Sequence, residues 1–164
     1  MNAVLRVNVM RVLYRLLLPL MLLLAGCRED GPFSLRERQE LRAARTRWLA
    51  SSVRAAYRFE VRQSCFCPPD VERWHTVTVI NDVITDVRNT ETGAMIPPAR
   101  RSAFLTVERM FAFLSSPAEY YRDVAVQFDP RYGYPLEVNF IAGPDVEDAG
   151  GAFYARNLQP LPIP

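Results

Sequence analysis

Lysine does not occur in this sequence, histidine occurs once, and cysteine occurs three times. The single histidine, His75, is not accompanied by a Gly-x-Ser-x-Gly segment, so the pattern of a serine hydrolase is missing. The sequence also contains no His-Glu-x-x-His segment and no glycine-rich phosphate loop. These absences predict a protein that is not an enzyme and that holds no cofactor.

The N-terminus contains an apolar run that leads into a cysteine. Positive residues come first, at Arg6, Arg11 and Arg15. The apolar core, Leu16–Leu24, is shorter than the ~20 residues of a membrane span, which argues against an uncleaved membrane helix. This order of charges and apolar residues is typical of a targeting segment. Leu22–Cys27 resembles the lipobox of a bacterial lipoprotein signal peptide. The resemblance implies that residues 1–26 are removed and that Cys27 carries diacylglycerol and fatty acyl chains such as palmitate.

A lipid on Cys27 predicts the location of the protein. Two acyl chains are enough for stable anchoring in a membrane. The next residue is Arg28 and not the aspartate that is common in lipoproteins retained at an inner membrane. We therefore expect a lipid-anchored protein on the periplasmic or extracellular side of the cell envelope, at the outer membrane where one is present.

The charge of the chain after Cys27 is nearly balanced. Residues 27–164 comprise 164 − 26 = 138 residues, which suits one domain. They contain 20 − 3 = 17 arginines and 18 acidic residues, so the net charge is near −1 rather than the +2 of the whole chain. A balanced charge gives no indication of nucleic acid as a partner. We expect a short tether at residues 27–33 and a single domain at residues 34–164.

Two helices are predicted from capping signals and apolar spacing. Ser34 and Glu37 fit a capping box at the start of the first helix. Residues at spacings of three and four form its apolar face: Leu41, Ala44, Trp48, Ser52 and Ala55. The arginines of this helix fit either a solvated face or contact with anionic headgroups. The second helix runs from an N-cap at Thr106 to about Ser115, with an apolar face at Val107, Met110, Phe111 and Leu114.

Alternating apolar and polar residues predict six short strands. They lie at residues 57–61, 74–79, 83–88, 124–128, 136–140 and 153–158. Asn81-Asp82 and residues 129–135 are typical turn sequences. Short connections imply antiparallel neighbours. The sequence therefore predicts an α+β domain, cystatin-like in general shape, with an antiparallel sheet of about five to six strands covered by a longer N-terminal helix and a second short helix.

An ordered set of local marks resembles a family of small bacterial lipoproteins and secreted proteins built around one domain of unknown function. The marks are Trp48, Tyr57-Arg58-Phe59, Cys65-Phe66-Cys67, Thr106-Val107, Asp129 through Pro135, and the acidic run at 145–148. The resemblance implies the location and the fold and brings no reaction and no established ligand.

Cys65-x-Cys67 is the sharpest candidate for chemistry, and three interpretations compete. Residues i and i+2 of an extended strand point to the same side, so the two cysteines are candidates for a disulfide. The same two thiolates, with His75 on the returning strand opposite Cys65, are candidate ligands for copper(I) or zinc. Pairing with a thiol of a partner protein is the third interpretation. His75 taken alone is typical of a surface or hydrogen-bonded side chain.

Two weaker features complete the candidate sites. Asp145, Glu147 and Asp148 precede two glycines and indicate either a solvated loop or a calcium loop, without EF-hand spacing. Aromatic residues near one hairpin fit either an interface or sheet packing: Tyr120, Tyr121, Tyr132, Tyr134 and Phe153.

The main functional hypothesis is a non-enzymatic module that binds another envelope protein or supports an envelope assembly. The alternative is a metal- or redox-handling lipoprotein that uses Cys65, Cys67 and His75.

Overall fold

A computed structural model describes residues 31–65, 71–146 and 150–162. The described part of the chain contains two α-helices, α1 and α2, two short 3-10 helices and six strands, β1–β6. In chain order they are α1 Leu35–Ala50, the 3-10 helix Ser52–Ala55, β1 Ala56–Ser64, β2 His75–Ile80, β3 Val83–Asn89, the 3-10 helix Pro98–Ala103, α2 Val107–Ser115, β4 Tyr121–Phe128, β5 Pro135–Ala142 and β6 Gly151–Pro160. Of these described helices, none is long and apolar enough to cross a membrane.

The six strands form one antiparallel sheet in the order β3-β2-β1-β6-β5-β4. Each half of the sheet is a meander of three consecutive strands, and β1 pairs with β6 to join the halves. The predicted α+β class and the predicted antiparallel sheet with two helices are confirmed. The predicted turn at Asn81-Asp82 is also present, with φ angles of 49° and 62°. Two consecutive positive φ angles suit the twist of a tight hairpin.

The start of α1 is the predicted capping box. The Ser34 hydroxyl accepts a hydrogen bond from the Glu37 amide at 3.3 Å, and the Glu37 carboxylate accepts one from the Ser34 amide at 2.7 Å. Hydrogen bonds from Ser34 hold the pKa of Glu37 below its ordinary value. These reciprocal bonds satisfy two amides that the first turn of a helix leaves without partners.

The predicted extent of α1 is wrong at its C-terminal end. The helix stops at Ala50, so Ser52 and Ala55 do not continue its apolar face. Ser51 is extended, and its hydroxyl caps the 3-10 helix by accepting from the Val53 amide. Serine side chains compete for backbone groups in this way, which explains the early stop. The second 3-10 helix begins with Pro98, whose fixed φ angle suits the first position of a helix.

The helices and one face of the sheet share a single hydrophobic core. Trp48 from α1 is buried with the predicted apolar face of α2 and with Tyr57, Phe59 and Val61 of β1. The Tyr57 hydroxyl accepts a hydrogen bond at 3.0 Å from the Val107 amide, the first residue of α2. Burial raises the pKa of Tyr57. Trp48 is therefore a core residue, as its spacing predicted, and one face of the sheet is covered by both helices.

Candidate protein-binding face

The second face of the sheet is polar and is formed by the residues that alternate with the core. On β1, Arg58, Glu60 and Arg62 point away from the buried side because successive side chains of a strand face opposite sides. These three side chains are exposed or half-buried, and none of them belongs to the core cluster. This face is named the open face below.

The centre of the open face is a stack of arginine and aromatic side chains. Arg62 on β1 lies opposite Tyr154 on β6, and Trp74 precedes β2 beside Arg62. The Arg62 guanidinium carbon lies 5.2 Å from the Trp74 ring centroid and 4.4 Å from the Tyr154 ring centroid. The Arg156 guanidinium carbon lies 3.9 Å from the Trp74 ring centroid. Two cations and two rings thus alternate across β1, β6 and the residue before β2, and this group is named the Arg–Trp stack.

The Arg–Trp stack carries more positive than negative charge. Arg156 Nε donates to the Glu60 carboxylate at 2.7 Å, which anchors one of its two guanidinium groups. Arg62 is held by ring contacts, and its buried Nε has no hydrogen-bond partner within the described residues. Each cation–π contact at such a site contributes about 0.5–1 kcal/mol. The stack therefore presents fixed guanidinium and indole groups at the surface. The Glu60 carboxylate balances the charge of Arg156 and leaves the charge of Arg62 without a counterpart in this group.

The aromatic residues near the β4–β5 hairpin mostly pack inside the domain. Tyr134 and Phe153 are buried, and Tyr132 is half-buried. Tyr121 is half-buried against Phe140, with ring centroids 5.0 Å apart. Burial raises the pKa of Tyr134 to about 12. Of the five, Tyr120 is the exposed one, at 47%. Sheet packing is thus the interpretation that fits four of these residues.

The structure corrects the register expected for the cysteine segment. His75 pairs with Val61 and not with a residue near Cys65. Both partners are buried, and burying them on one face sets the register of β1 and β2. Cys65 is four positions further along the chain, which is roughly 13 Å in an extended strand. The prediction that His75 lies opposite Cys65 is therefore wrong.

His75 has the surroundings of a packed core residue. Its side chain is 2% exposed, its Nδ1 lies 2.9 Å from the Arg73 carbonyl oxygen, and its ring centroid lies 4.8 Å from that of Phe104. Among the described residues, no group of three or more histidine, cysteine, aspartate or glutamate side chains is placed to hold a metal ion. Cys67, Glu147 and Asp148 lie outside the described residues, as do Cys27 and the predicted signal segment. The disulfide, metal and calcium interpretations stay predictions.

Sequence reasoning did not identify the Arg–Trp stack. The alternation on β1 placed Arg62 on a polar face. Trp74 is separated by two and four residues from Thr76 and Thr78 of the next strand, so the alternation places it on the same face as those threonines. The missing information was the pairing of β1 with β6, which brings Tyr154 and Arg156 to this face. That pairing joins segments that are distant in the sequence, so no local pattern reports it.

The fold and its open face define a small α+β domain with one side of its sheet covered by helices and the other side presented to solvent. The chain belongs to a family of unknown function, DUF6174, whose sequence profile matches residues 40–160. The match runs from within α1 to the end of β6 and confirms a domain of unknown function. Searches of curated proteins and of solved structures gave no match.

Proposed function

We propose that the chain is a lipid-anchored bacterial envelope protein whose domain binds another protein through the open face. It acts as a binding module and not as an enzyme. The observation that carries the proposal is the Arg–Trp stack, because tryptophan, tyrosine and arginine are the residues that dominate binding energy at protein interfaces. The stack holds these groups in place before a partner arrives, which lowers the entropy cost of binding.

The charge of the stack indicates the chemistry of the partner surface. Arg156 is paired with Glu60, whereas Arg62 has no ion-pair partner among the described residues, so a partner that brings a carboxylate complements the stack. Arginine binds carboxylates through two parallel hydrogen bonds, while the indole of Trp74 supplies apolar contact. We propose an acidic segment of an envelope protein as the occupant of the open face.

Replacing Trp74 by alanine is expected to lower partner capture by at least about tenfold, the effect of losing an interface hot spot. Trp74 is half-buried and is not part of the core cluster, so the fold is retained. The measurement is quantitative mass spectrometry of proteins crosslinked to the tagged, membrane-bound chain. Arg62→Gln should reduce the amount of the same captured protein. Capture of that protein by the wild-type chain should fall as the salt concentration is raised.

The matched control for Trp74→Ala is Tyr120→Ala, which removes an exposed aromatic ring elsewhere on the surface. It should leave capture unchanged. The proposal fails if Trp74→Ala and Tyr120→Ala reduce capture of the same protein equally. It also fails if Trp74→Ala and Arg62→Gln capture every protein that the wild-type chain captures.

The anchor is proposed from the lipobox-like segment that ends at Cys27. Replacing Cys27 by serine is expected to abolish the lipid, because serine has no thiol to carry diacylglycerol, and to remove the stable attachment that two acyl chains provide. The intact mass of detergent-extracted wild-type protein should equal residues 27–164 plus the lipid, and the mass of Cys27→Ser should contain no lipid. A wild-type mass without lipid contradicts the anchor.

We further propose that Cys65 and Cys67 form a disulfide at the turn between β1 and β2. Cys65 directly follows β1, and the Gln63 amide donates to the Val71 carbonyl at 2.8 Å across the turn. An envelope compartment permits such a bond. Alkylation of the extracted protein before and after reduction distinguishes a disulfide from two thiols.

A further inference from the structure

A cleft of about 380 Å³ lies on the helical side of the domain, between residues 38–45 of α1 and the C-terminal end of α2. The segment before α1 forms one wall, and α1 forms another. Its lining residues are Gly31, Pro32, Phe33, Arg38, Leu41, Arg42, Arg45, Leu114, Ser115 and Pro117. The open face and the cleft are on opposite sides of the sheet, so the cleft is a separate site.

One wall of the cleft is positive. Arg42 and Arg45 are spaced by three residues, which places them along one side of α1. Among the described residues that line the cleft there is no carboxylate, and the nearby Glu37 and Glu40 line a different depression. Arg45 Nη1 donates to the Ser115 hydroxyl at 3.1 Å, which fixes this guanidinium at the rim. Arginine stays charged at every physiological pH, so the wall favours an anion.

The other walls of the cleft are apolar. Phe33 and Leu114 belong to the buried core, and Leu41 packs against it. Pro117 completes this surface. A ligand that satisfies both parts of the cleft needs an anionic group next to a hydrocarbon group, which is the chemistry of an anionic phospholipid.

We infer that the cleft binds the phosphate headgroup and adjoining glycerol and acyl carbons of an anionic phospholipid in the membrane that anchors the chain. The membrane as source rests on the proposed anchor. Cys27 is four residues from Gly31, and four residues span at most about 14 Å. A lipid on Cys27 therefore keeps the cleft within reach of neighbouring headgroups.

The test uses residues 27–164 with Cys27→Ser, which contain every described residue of the core cluster; circular dichroism first checks that this chain is folded. Co-flotation is measured with phosphatidylcholine vesicles that contain or lack phosphatidylglycerol. Arg42→Gln with Arg45→Gln is expected to reduce partitioning onto the anionic vesicles by roughly thirtyfold, from the attraction of two arginines to an anionic surface. A short-chain phosphatidylglycerol should compete, and inorganic phosphate at the same concentration should not.

The matched control is Arg36→Gln with Arg47→Gln, which removes the same charge from the same helix outside the cleft. Its partitioning should stay within about threefold of the parent. Equal losses in both double variants would show general surface electrostatics and overturn the cleft. Competition by inorganic phosphate as strong as by the short-chain lipid would overturn the phospholipid as the ligand. The assay uses a chain without acyl groups and measures only binding to vesicles. A negative result therefore contradicts the cleft and leaves the proposed anchor and the proposed protein binding by the open face to their own tests.

Discussion

Trp48→Ala is expected to lower the free energy of unfolding by about 3–5 kcal/mol, the usual cost of removing a large buried aromatic side chain. Trp48 has no exposed surface, and its ring meets that of Tyr57 edge-on with centroids 5.3 Å apart. Its Nε1 also donates to the Glu108 carboxylate at 3.1 Å. The substitution removes the packing between α1 and β1 together with the hydrogen bond to α2. The measurement is the midpoint of urea-induced unfolding, which is monitored by circular dichroism.

The control for Trp48→Ala is Leu49→Ala, the next residue of the same helix, whose side chain is 47% exposed. Its effect should stay within about 0.5 kcal/mol. If Trp48→Ala yields no folded protein, Trp48→Phe keeps an aromatic ring, loses the indole hydrogen bond and leaves a smaller cavity, and the lost polar contact alone is expected to cost about 1–3 kcal/mol. Equal midpoints for Trp48→Phe, Leu49→Ala and wild type would contradict the assigned role of Trp48.

Gly133→Ala is expected to destabilise the domain through two effects that can be separated. The φ angle of Gly133 is +83°, a conformation that costs an alanine about 1–2 kcal/mol. A Cβ at this position would lie 2.2 Å from the Ala44 carbonyl oxygen, so the β4–β5 hairpin would have to move away from α1. Overpacking of this kind adds about 1–3 kcal/mol. We expect a clear fall in the urea midpoint.

Gly93→Ala is the matched control, since Gly93 has a φ of +71° and a Cβ added there would have no neighbouring atom within 4 Å. It should show the cost of the positive φ angle alone, about 1–2 kcal/mol. The difference between the two variants then measures the contact of the hairpin with α1. If Gly133→Ala costs no more than Gly93→Ala, that contact does not constrain the hairpin.

The two proposed surfaces are compatible with simultaneous binding. The cleft lies at the helices, which cover one side of the sheet, and the Arg–Trp stack lies on the opposite side. A chain held at the membrane by Cys27 and by the cleft would therefore direct its open face away from the bilayer. This arrangement suits a module that presents a protein-binding surface within the envelope.

Local signals predicted much of the fold. The Ser34–Glu37 capping box, the apolar face of α2, the alternating strands and the Asn81-Asp82 turn each depend on residues a few positions apart. Features that depend on distant segments were not predicted. The pairing of β1 with β6 creates the Arg–Trp stack. Burial of Val61 opposite His75 sets the register of β1 and β2, which the sequence around the cysteines did not reveal.

The most direct test of the proposed function is site-specific photo-crosslinking of the lipidated protein in cells. A photoreactive residue is placed at Arg58, which is exposed on the open face, or at Ala112, which is exposed on α2 on the opposite side of the sheet. We predict a discrete crosslinked protein from position 58 that is absent from position 112 and is lost when Trp74→Ala is added. Identical products from both positions, or a product from position 58 that survives Trp74→Ala, would contradict protein binding through the open face.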